Sequence, residues 1–276
     1  MADIHQFNDR AMATHFEVRI ANEERAYAAQ AALAAFDLLA GLESQLSRFR
    51  ANSDIAHIAA LAPGEKMRLS EPACACLEIA KKMELATLGA FSPTAAALQT
   101  QGCLPQWTLL PEELSIQCES GRLQFDLGAI GKGFALDRMA KLLRSWDCPA
   151  FLLVAGGSSI LAGNPPPGSA GWSCGLGADD VPKRLLLTNA SLSGSGLAVK
   201  GNHILDPRTG QPALRQDRAW ALANTAAESD ALSTACMVLN ERELEEVLAQ
   251  DSSWLFFLEP HGINQPMGNR VPPPQA

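Results

Sequence analysis

The pattern of apolar and polar residues in the first third of the chain predicts one strand and two helices. Residues 14–20 alternate between polar and apolar side chains, as in a strand with one buried face. Residues 24–47 are rich in Ala and Leu, and an apolar stripe through Leu39 and Leu42 predicts one long helix. A second helix is predicted to begin after Ser70, a good capping residue, and to end near Gly89.

The remainder of the chain is predicted to contain short strands, three helices and a polar tail. A strand through Leu123 and Phe125 is expected to precede a helix near residue 131, whereas residues 99–120 have a weak pattern and are expected to form a loop. The other predicted strands are 151–154, 172–176, 184–188, 203–205, 220–223 and 254–258, and the other predicted helices are 228–239 and 241–249. This mixed order favours the α+β class over a doubly wound sheet. Residues 262–276, rich in Pro, Gly, Asn and Gln, are expected to be frayed.

Composition and charge exclude several classes of partner. The chain has 276 residues and a net charge of −8 without a cluster of Lys and Arg. A surface for nucleic acid or anionic lipid needs such a basic cluster, so neither partner is expected. No apolar run reaches the roughly 18 residues of a membrane span. The first residues lack the features of a secretory signal, and the seven cysteines are scattered, so we expect reduced thiols and a cytoplasmic location.

A glycine-rich turn at residues 126–133, with the sequence DLGAIGKG, is the first candidate for chemistry. Such a turn at the start of a helix can direct backbone N–H groups at a phosphate, and Lys132 adds a cation. The spacing differs from a Walker A loop, which would need Gly at Asp126 and Ser or Thr at Gly133, and it lacks the third glycine of a dinucleotide fingerprint. A plain turn between a strand and a helix, with Lys132 in solvent, remains open.

A second candidate lies near the start of the helix predicted around residue 228. Asp230, Ser233 and Thr234 are spaced i, i+3 and i+4, which places them on one face of a helix. One carboxylate and two hydroxyls are hard oxygen ligands that suit Mg²⁺ or Ca²⁺. The alternative is that Asp230 caps or favours the start of its own helix and that the two hydroxyls are incidental.

Two further features are a histidine beside a turn and a pair of glycines. His203 lies just before Asp206-Pro207-x-x-Gly210, which is typical of a turn, so its ring could face a pocket from the end of a strand. A purely structural role for this histidine is also open. The glycines at 156–157 follow an apolar strand and serve either a close backbone approach or the end of that strand.

In this order, the segments resemble the ApbE family of FAD:protein FMN transferases over residues 7–258, which we therefore treat as one domain. The segments that carry the resemblance are 11–14, 46–49, 52–55, 89–94, 126–137, 155–157, 193–194, 203–210 and 229–234. The resemblance implies an α+β fold related to the T-fold. It also implies an enzyme that binds FAD with Mg²⁺ and transfers FMN to a Thr or Ser hydroxyl of a target flavoprotein, releasing AMP.

The resemblance also assigns roles to residues of this chain. His203 matches the proposed general base, and Lys132 would neutralise charge on the pyrophosphate together with the metal. The residues implied for the metal are Ala129, through its carbonyl oxygen, Asp230, Ser233 and Thr234. The residues implied for the flavin nucleotide are Met12, Phe49, Ala90, Phe91, Ser92, Lys132 and Leu205.

Three departures from the family pattern leave two other functions open. Ser92 stands where an aspartate is usual, the segment 99–122 is short, and Ser195 replaces a common aromatic residue. A chain with these changes could bind FAD without transferring it. It could also act as a metal-dependent FAD pyrophosphatase, in which water takes the place of the hydroxyl.

Overall fold

The computed structural model describes residues 3–176, 183–197, 204–260 and 269–270, which form an α+β fold. The helices are α1 Arg25–Leu46, α2 Asp54–Ile58, α3 Glu71–Ala86, α4 Ala97–Gln101, α5 Gly131–Ser145, α6 Ala226–Cys236 and α7 Glu241–Leu248, with a 3-10 turn at Pro111–Glu113. The strands are β1 Ile4–Ala11, β2 Thr14–Ala21, β3 Lys66–Arg68, β4 Gln106–Leu110, β5 Ser115–Ser120, β6 Phe151–Ala155, β7 Ser159–Ala162, β8 Trp172–Leu176, β9 Lys183–Leu187, β10 Ala190–Gly196, β11 Gln216–Ala223, β12 Leu255–Pro260 and β13 Asn269–Arg270.

An antiparallel sheet of eight strands, in the order β1-β2-β6-β7-β10-β11-β12-β13, is the centre of the fold. Its first and third strand connections are tight hairpins. Met12 and Ala13 join β1 to β2 with φ of +49° and +57°, and Gly156 and Gly157 join β6 to β7 with φ of +61° and +69°. The glycine pair therefore forms a hairpin turn, in which positive φ favours glycine. Strands β3, β5 and β4 form a separate sheet of three, and β8 pairs with β9.

The large sheet is covered on both faces. Alternate side chains of β6 point to opposite faces of the sheet. Phe151 and Leu153 belong to the main core with α1, α5 and α6, whereas Leu152 packs with Trp172 of the β8–β9 hairpin. The main core is continuous through α3 and the three-stranded sheet. In the described ranges, no helix is both long and apolar enough to span a bilayer.

Three local predictions differ from the structure. Leu123 and Phe125 lie outside any strand or helix, although both are buried. The segment 99–120 is not a loop, because β4 and β5 pair within it and bury Trp107 and Ile116. Leu205, which was expected to end a strand, forms only an isolated bridge to Pro212. The expected frayed tail at 262–276 and the first part of the 203–205 strand lie outside the described residues.

Helices α5 and α6 meet at a contact that has no room for a side chain. A Cβ atom added to Gly133 would lie 2.0 Å from the Ala226 carbonyl oxygen. Asp137, one turn further along α5, accepts hydrogen bonds from the N–H groups of Ala226 and Ala227 at 2.8 and 2.9 Å. The third glycine of the turn is therefore required by the packing of two helices.

We expect Gly133→Ala to lower the free energy of unfolding by about 2–4 kcal/mol, because the backbone of α6 must move to admit the methyl group. Gly131→Ala is the matched control. Its added Cβ would meet Leu127 Cβ at an ordinary 3.5 Å, so its stability should stay within about 1 kcal/mol of the wild type. Urea unfolding of the three proteins measures the difference. Equal losses in the two variants would contradict this account.

Burial raises the pKa of Asp137 from its ordinary 3.8 to about 6, and the bonds from the Ala226 and Ala227 N–H groups oppose that rise. Between about pH 4 and 6, the folded chain thus holds a proton that the unfolded chain has released. The stability that this proton contributes is fully present below that window and is lost as the pH rises through it. Relative to Asp137→Asn, the wild type should lose about 2–3 kcal/mol across the window in urea unfolding. Parallel pH profiles would contradict this expectation.

Candidate functional site

The carboxylate of Asp230 lies where α5, α6 and β7 meet. The residue is 4% exposed. One of its oxygens accepts a hydrogen bond from the Gly133 backbone N–H at 2.8 Å and lies 3.4 Å from Lys132 Nζ. The other oxygen accepts from the hydroxyl of Ser159, the first residue of β7. The buried charge is therefore balanced by one cation and two hydrogen-bond donors, which offsets its desolvation.

Asp230 does not cap its own helix, so that part of the alternative prediction is wrong. The N-cap of α6 is Thr225, whose hydroxyl accepts from the Glu228 N–H at 3.3 Å. Asp230 lies in the next turn and accepts instead from the first turn of α5, through Gly133. A carboxylate at the start of a helix is favoured by the unpaired N–H groups there, and here it comes from the neighbouring helix.

The glycine-rich turn uses several of its own N–H groups. Gly128 donates to Asp126 Oδ1 at 2.9 Å, Gly131 donates to the Leu127 carbonyl at 2.6 Å, and Gly133 donates to Asp230. The expectation that the turn directs unpaired N–H groups at a phosphate is therefore wrong for these three glycines. The amine of Lys132 lies at the same turn, beside the Gly128 carbonyl.

Lys132 is held between the turn and α6. Its amine donates to the Gly128 carbonyl at 3.1 Å and lies beside Asp230, and its side chain is 22% exposed. Ala129 is half-buried in the same turn. Nowhere in the described ranges do three His, Cys, Asp or Glu side chains gather as a metal-binding group. Of the residues predicted for the metal, Asp230 is the one that carries a carboxylate, and the others offer neutral oxygens.

Hydroxyl groups line the contact between β10 and α6. Ser195 lies 2.9 Å from Ser233 and 3.2 Å from Thr234, measured between hydroxyl oxygens, and Ser233 donates to the Asp230 carbonyl at 2.9 Å. Further from the site, Ser229 forms the same kind of contact with two more serines. These are Ser191 and Ser193, each at 2.8 Å.

Two residues predicted to contact the flavin nucleotide, Phe49 and Met12, lie beside the glycine-rich turn and beside α1, respectively. Phe49 is 83% exposed, with the Arg48 guanidinium 4.7 Å from its ring centre. Arg48 also pairs with Asp126 at 3.3 Å. Met12 is partly buried in the β1–β2 turn, and its N–H donates to Glu43 Oε1 at 3.0 Å. An exposed aromatic face next to the glycine-rich turn suits stacking with a planar ring.

The segment 90–92 is placed beside the same turn but offers little side-chain surface. Ala90 and Phe91 are 1% and 2% exposed and belong to the main core. A ligand could therefore meet only their backbone. The Pro93 carbonyl accepts from the Asp126 N–H at 2.8 Å, which joins this segment to the turn. Ser92 donates its hydroxyl hydrogen to Glu84 Oε1 at 2.5 Å.

Glu84, on α3, lines a cavity of about 520 Å³ next to this segment. Lys81 pairs with Glu84 at 2.9 Å and lies 4.8 Å from the centre of the Trp107 ring. Arg208 forms another wall and pairs with Asp206 and Glu243 at 2.9 and 2.7 Å. The remaining lining residues are Leu85, Leu88, Gly89, Thr94, Leu104, Pro105 and Gln106. The lining does not include Lys132 or Asp230.

Leu205 and His203 were predicted to lie in a strand just before the Asp206–Gly210 turn. Leu205 is half-buried, and the turn is anchored by the Asp206 carbonyl, which accepts from the Gly210 N–H at 2.8 Å. Arg208, within the turn, packs on Gly89, since a Cβ there would lie 3.5 Å from Arg208 Cγ. This contact brings the turn to the 90–92 segment. His203 lies outside the described residues.

Sequence reasoning missed Ser159 and Glu84, and it assigned no role to Asp137, the last residue of the segment 126–137. Ser159 gave no signal because a serine in a short strand has many possible roles. Glu84 and Asp137 lie on amphipathic helices, where carboxylates usually face solvent. The alternation of serines along β10 was a signal, because residues two apart on a strand share a face.

The comparisons with known proteins agree with one another. The profile described as the ApbE family matches residues 12–256. A protein of Treponema pallidum (strain Nichols) named FAD:protein FMN transferase is 26% identical over 292 residues, covering 87% of this chain and 81% of that protein. Another of the same name, from Klebsiella pneumoniae (strain 342), is 23% identical over 151 residues, covering 50% of this chain and 43% of its own length. The match thus spans less than half of that relative.

The fold is also that of a solved structure. The flavin transferase ApbE from Vibrio cholerae superimposes with a TM-score of 0.81 and 17% identity, covering 94% of each chain. At this identity the likeness concerns the fold alone, whereas the family profile covers most of the sequence. From the match of that profile to residues 12–256, we conclude that the chain belongs to the ApbE family.

Proposed function

We propose that the chain binds FAD with Mg²⁺ and transfers FMN to a Thr or Ser hydroxyl of a target flavoprotein, releasing AMP. The observation that carries the proposal is the pairing of Lys132 with the buried Asp230 at the start of α5. This pairing places a cation and an anchoring carboxylate together in a chain whose named relatives are FAD:protein FMN transferases.

The donor set fits a hard cation. Asp230 supplies one carboxylate, Ser233 and Thr234 supply hydroxyls, and the Ala129 carbonyl is the fourth oxygen that we assign to it. Mg²⁺ commonly takes one or two carboxylates and completes its shell with water and substrate phosphate. Such an ion would neutralise charge on the pyrophosphate as it breaks. A site with one carboxylate should therefore hold Mg²⁺ weakly until FAD is bound.

Lys132 is the residue that we assign to the phosphates. Its amine lies 3.4 Å from Asp230, so in the absence of a nucleotide the carboxylate is already balanced. A pyrophosphate would draw the amine towards its own oxygens and leave Asp230 for the cation. Stabilising charge that develops on the phosphates is the usual source of catalysis in phosphoryl transfer.

The acceptor hydroxyl must lose its proton as its oxygen bonds to the FMN phosphorus. At the same time the bond from that phosphorus to the bridging oxygen breaks, and AMP leaves with the bridging oxygen. We assign His203 as the general base that accepts this proton, because the ordinary pKa of a histidine, about 6.5, suits a base at neutral pH. Phe49, Met12, Leu205 and the backbone of 90–92 would hold the flavin nucleotide.

Incubation with FAD, Mg²⁺ and a target domain tests the proposal. We expect AMP and FMN-modified target in equal amounts, measured by chromatography and intact mass, and no modified target when its acceptor is changed to Ala. AMP without modified target would instead show a pyrophosphatase. Bound but unchanged FAD would show a flavin-binding protein, and either result overturns the proposal.

The assignments of Lys132 and Asp230 can be tested by FAD titration with and without Mg²⁺. Lys132→Ala should weaken FAD binding about 10- to 100-fold, as expected for loss of a charge-assisted contact with phosphate. In the wild type, Mg²⁺ should strengthen FAD binding, and in Asp230→Asn it should not. Lys141→Ala, which removes an exposed charge from the same helix, is the control and should bind like the wild type. Unchanged affinities in the first two variants would remove these residues from the site.

A further inference from the structure

Asp137 is a partly buried carboxylate for which the proposed reaction has no use. It accepts the N–H groups of Ala226 and Ala227, which begin α6. Asp230 lies one turn along that helix and accepts the Gly133 N–H, in the first turn of α5. Each helix therefore donates N–H groups of its first turn to a carboxylate of the other helix.

This exchange does more than cap α6. The cap of that helix is Thr225, whose hydroxyl accepts from the Glu228 N–H and whose carbonyl accepts from the Ser229 N–H at 3.1 Å. Asp137 accepts hydrogen bonds from the two remaining N–H groups of the first turn of α6, although it lies on α5. Its distinct effect is to tie the start of α6 to the helix that carries Lys132.

The close contact at Gly133 restricts movement of α6 relative to α5. Because a Cβ there would lie 2.0 Å from the Ala226 oxygen, the two helices touch through their backbones. Asp137 follows Gly133 by one turn, and Asp230 follows Ala226 by one turn. A shift of α6 along α5 that broke the Asp137 bonds would therefore also move the Asp230 carboxylate away from the Gly133 N–H and from Lys132.

We propose that Asp137 is a positioning residue, which holds α6 in the register that sets the Asp230 carboxylate against Gly133 and Lys132. The geometric part of this proposal concerns the fold, and its effect on FAD binding rests on the proposed function. The Lys132 amine has the Gly128 carbonyl and Asp230 as its partners, and Asp137 has the Ala226 and Ala227 N–H groups. We therefore assign Asp137 no contact with the phosphates. It acts through the start of α6.

Hydrogen exchange at the Gly133 amide tests the geometric part without a ligand. In Asp137→Asn, one of the two acceptor oxygens becomes an amide NH₂ that faces a backbone N–H, so the tie is weakened. We expect the Gly133 amide to exchange at least tenfold faster than in the wild type, relative to the amide of Met139 in the middle of α5. Thr225→Ala is the matched control, because it weakens the cap of α6 without touching α5, and its Gly133 amide should exchange at the wild-type rate.

An unchanged Gly133 rate in Asp137→Asn, or an equal acceleration in Thr225→Ala, would overturn the proposal. If Asp137→Asn does not fold, the same comparison is made with Asp137→Ser, which is smaller and keeps a hydroxyl acceptor. FAD titration with Mg²⁺ then separates the two proposals. We expect at least tenfold weaker binding in Asp137→Asn than in Thr225→Ala. If the wild type binds no FAD, the proposed function fails, while the exchange rates still decide whether Asp137 positions Asp230.

Discussion

Gly133 approaches the start of α6 so closely that a Cβ atom there would lie 2.0 Å from the Ala226 oxygen. Because the helix starts meet in this way, the carboxylates of Asp230 and Asp137 accept hydrogen bonds from three N–H groups that have no partner within their own helix, those of Gly133, Ala226 and Ala227. Lys132 precedes Gly133, so the same contact sets its amine beside the Asp230 carboxylate. The charges of the candidate site thus follow from one helix contact that excludes any side chain.

The serines between β10 and α6 extend this polar region into the interior. Ser191 and Ser193 are fully buried, and both contact Ser229. A buried hydroxyl without a partner is costly, so these residues are tolerable only because they pair with one another and with backbone carbonyls. Ser195, at the outer end of the row, contacts Ser233 and Thr234. The two hydroxyls that we assign to the cation are therefore positioned by a hydrogen-bonding contact with Ser195.

The departure from the family pattern at Ser92 has a visible structural counterpart. The Ser92 hydroxyl donates to Glu84, whose side chain is 15% exposed and pairs with Lys81. A carboxylate is thus present next to this position, supplied by α3 instead of by residue 92 itself. The segment that follows contains the paired strands β4 and β5, and Trp107 of β4 lines the cavity.

Strong local patterns in the sequence predicted the long helix α1, the cap of α3 at Ser70, and α5 after the glycine turn, because periodicity and capping act over a few residues. Motif order identified the family, and with it the α+β class. Strands β1, β3, β4, β5, β7, β10 and β13 were not predicted, since strand formation depends on the neighbouring strands and on packing more than on local propensity.

The sequence by itself determined which residue types stand near the turn at 126–133 and near Asp230, but not how these segments meet. Only the tertiary structure decided that Asp230 accepts a hydrogen bond from the first turn of α5, and that three glycine N–H groups of the turn are already paired. It also decided that Asp137 ties α6 to α5. The physical reason is that hydrogen bonds between helices depend on their mutual register, which packing of the whole core sets and which local sequence does not encode.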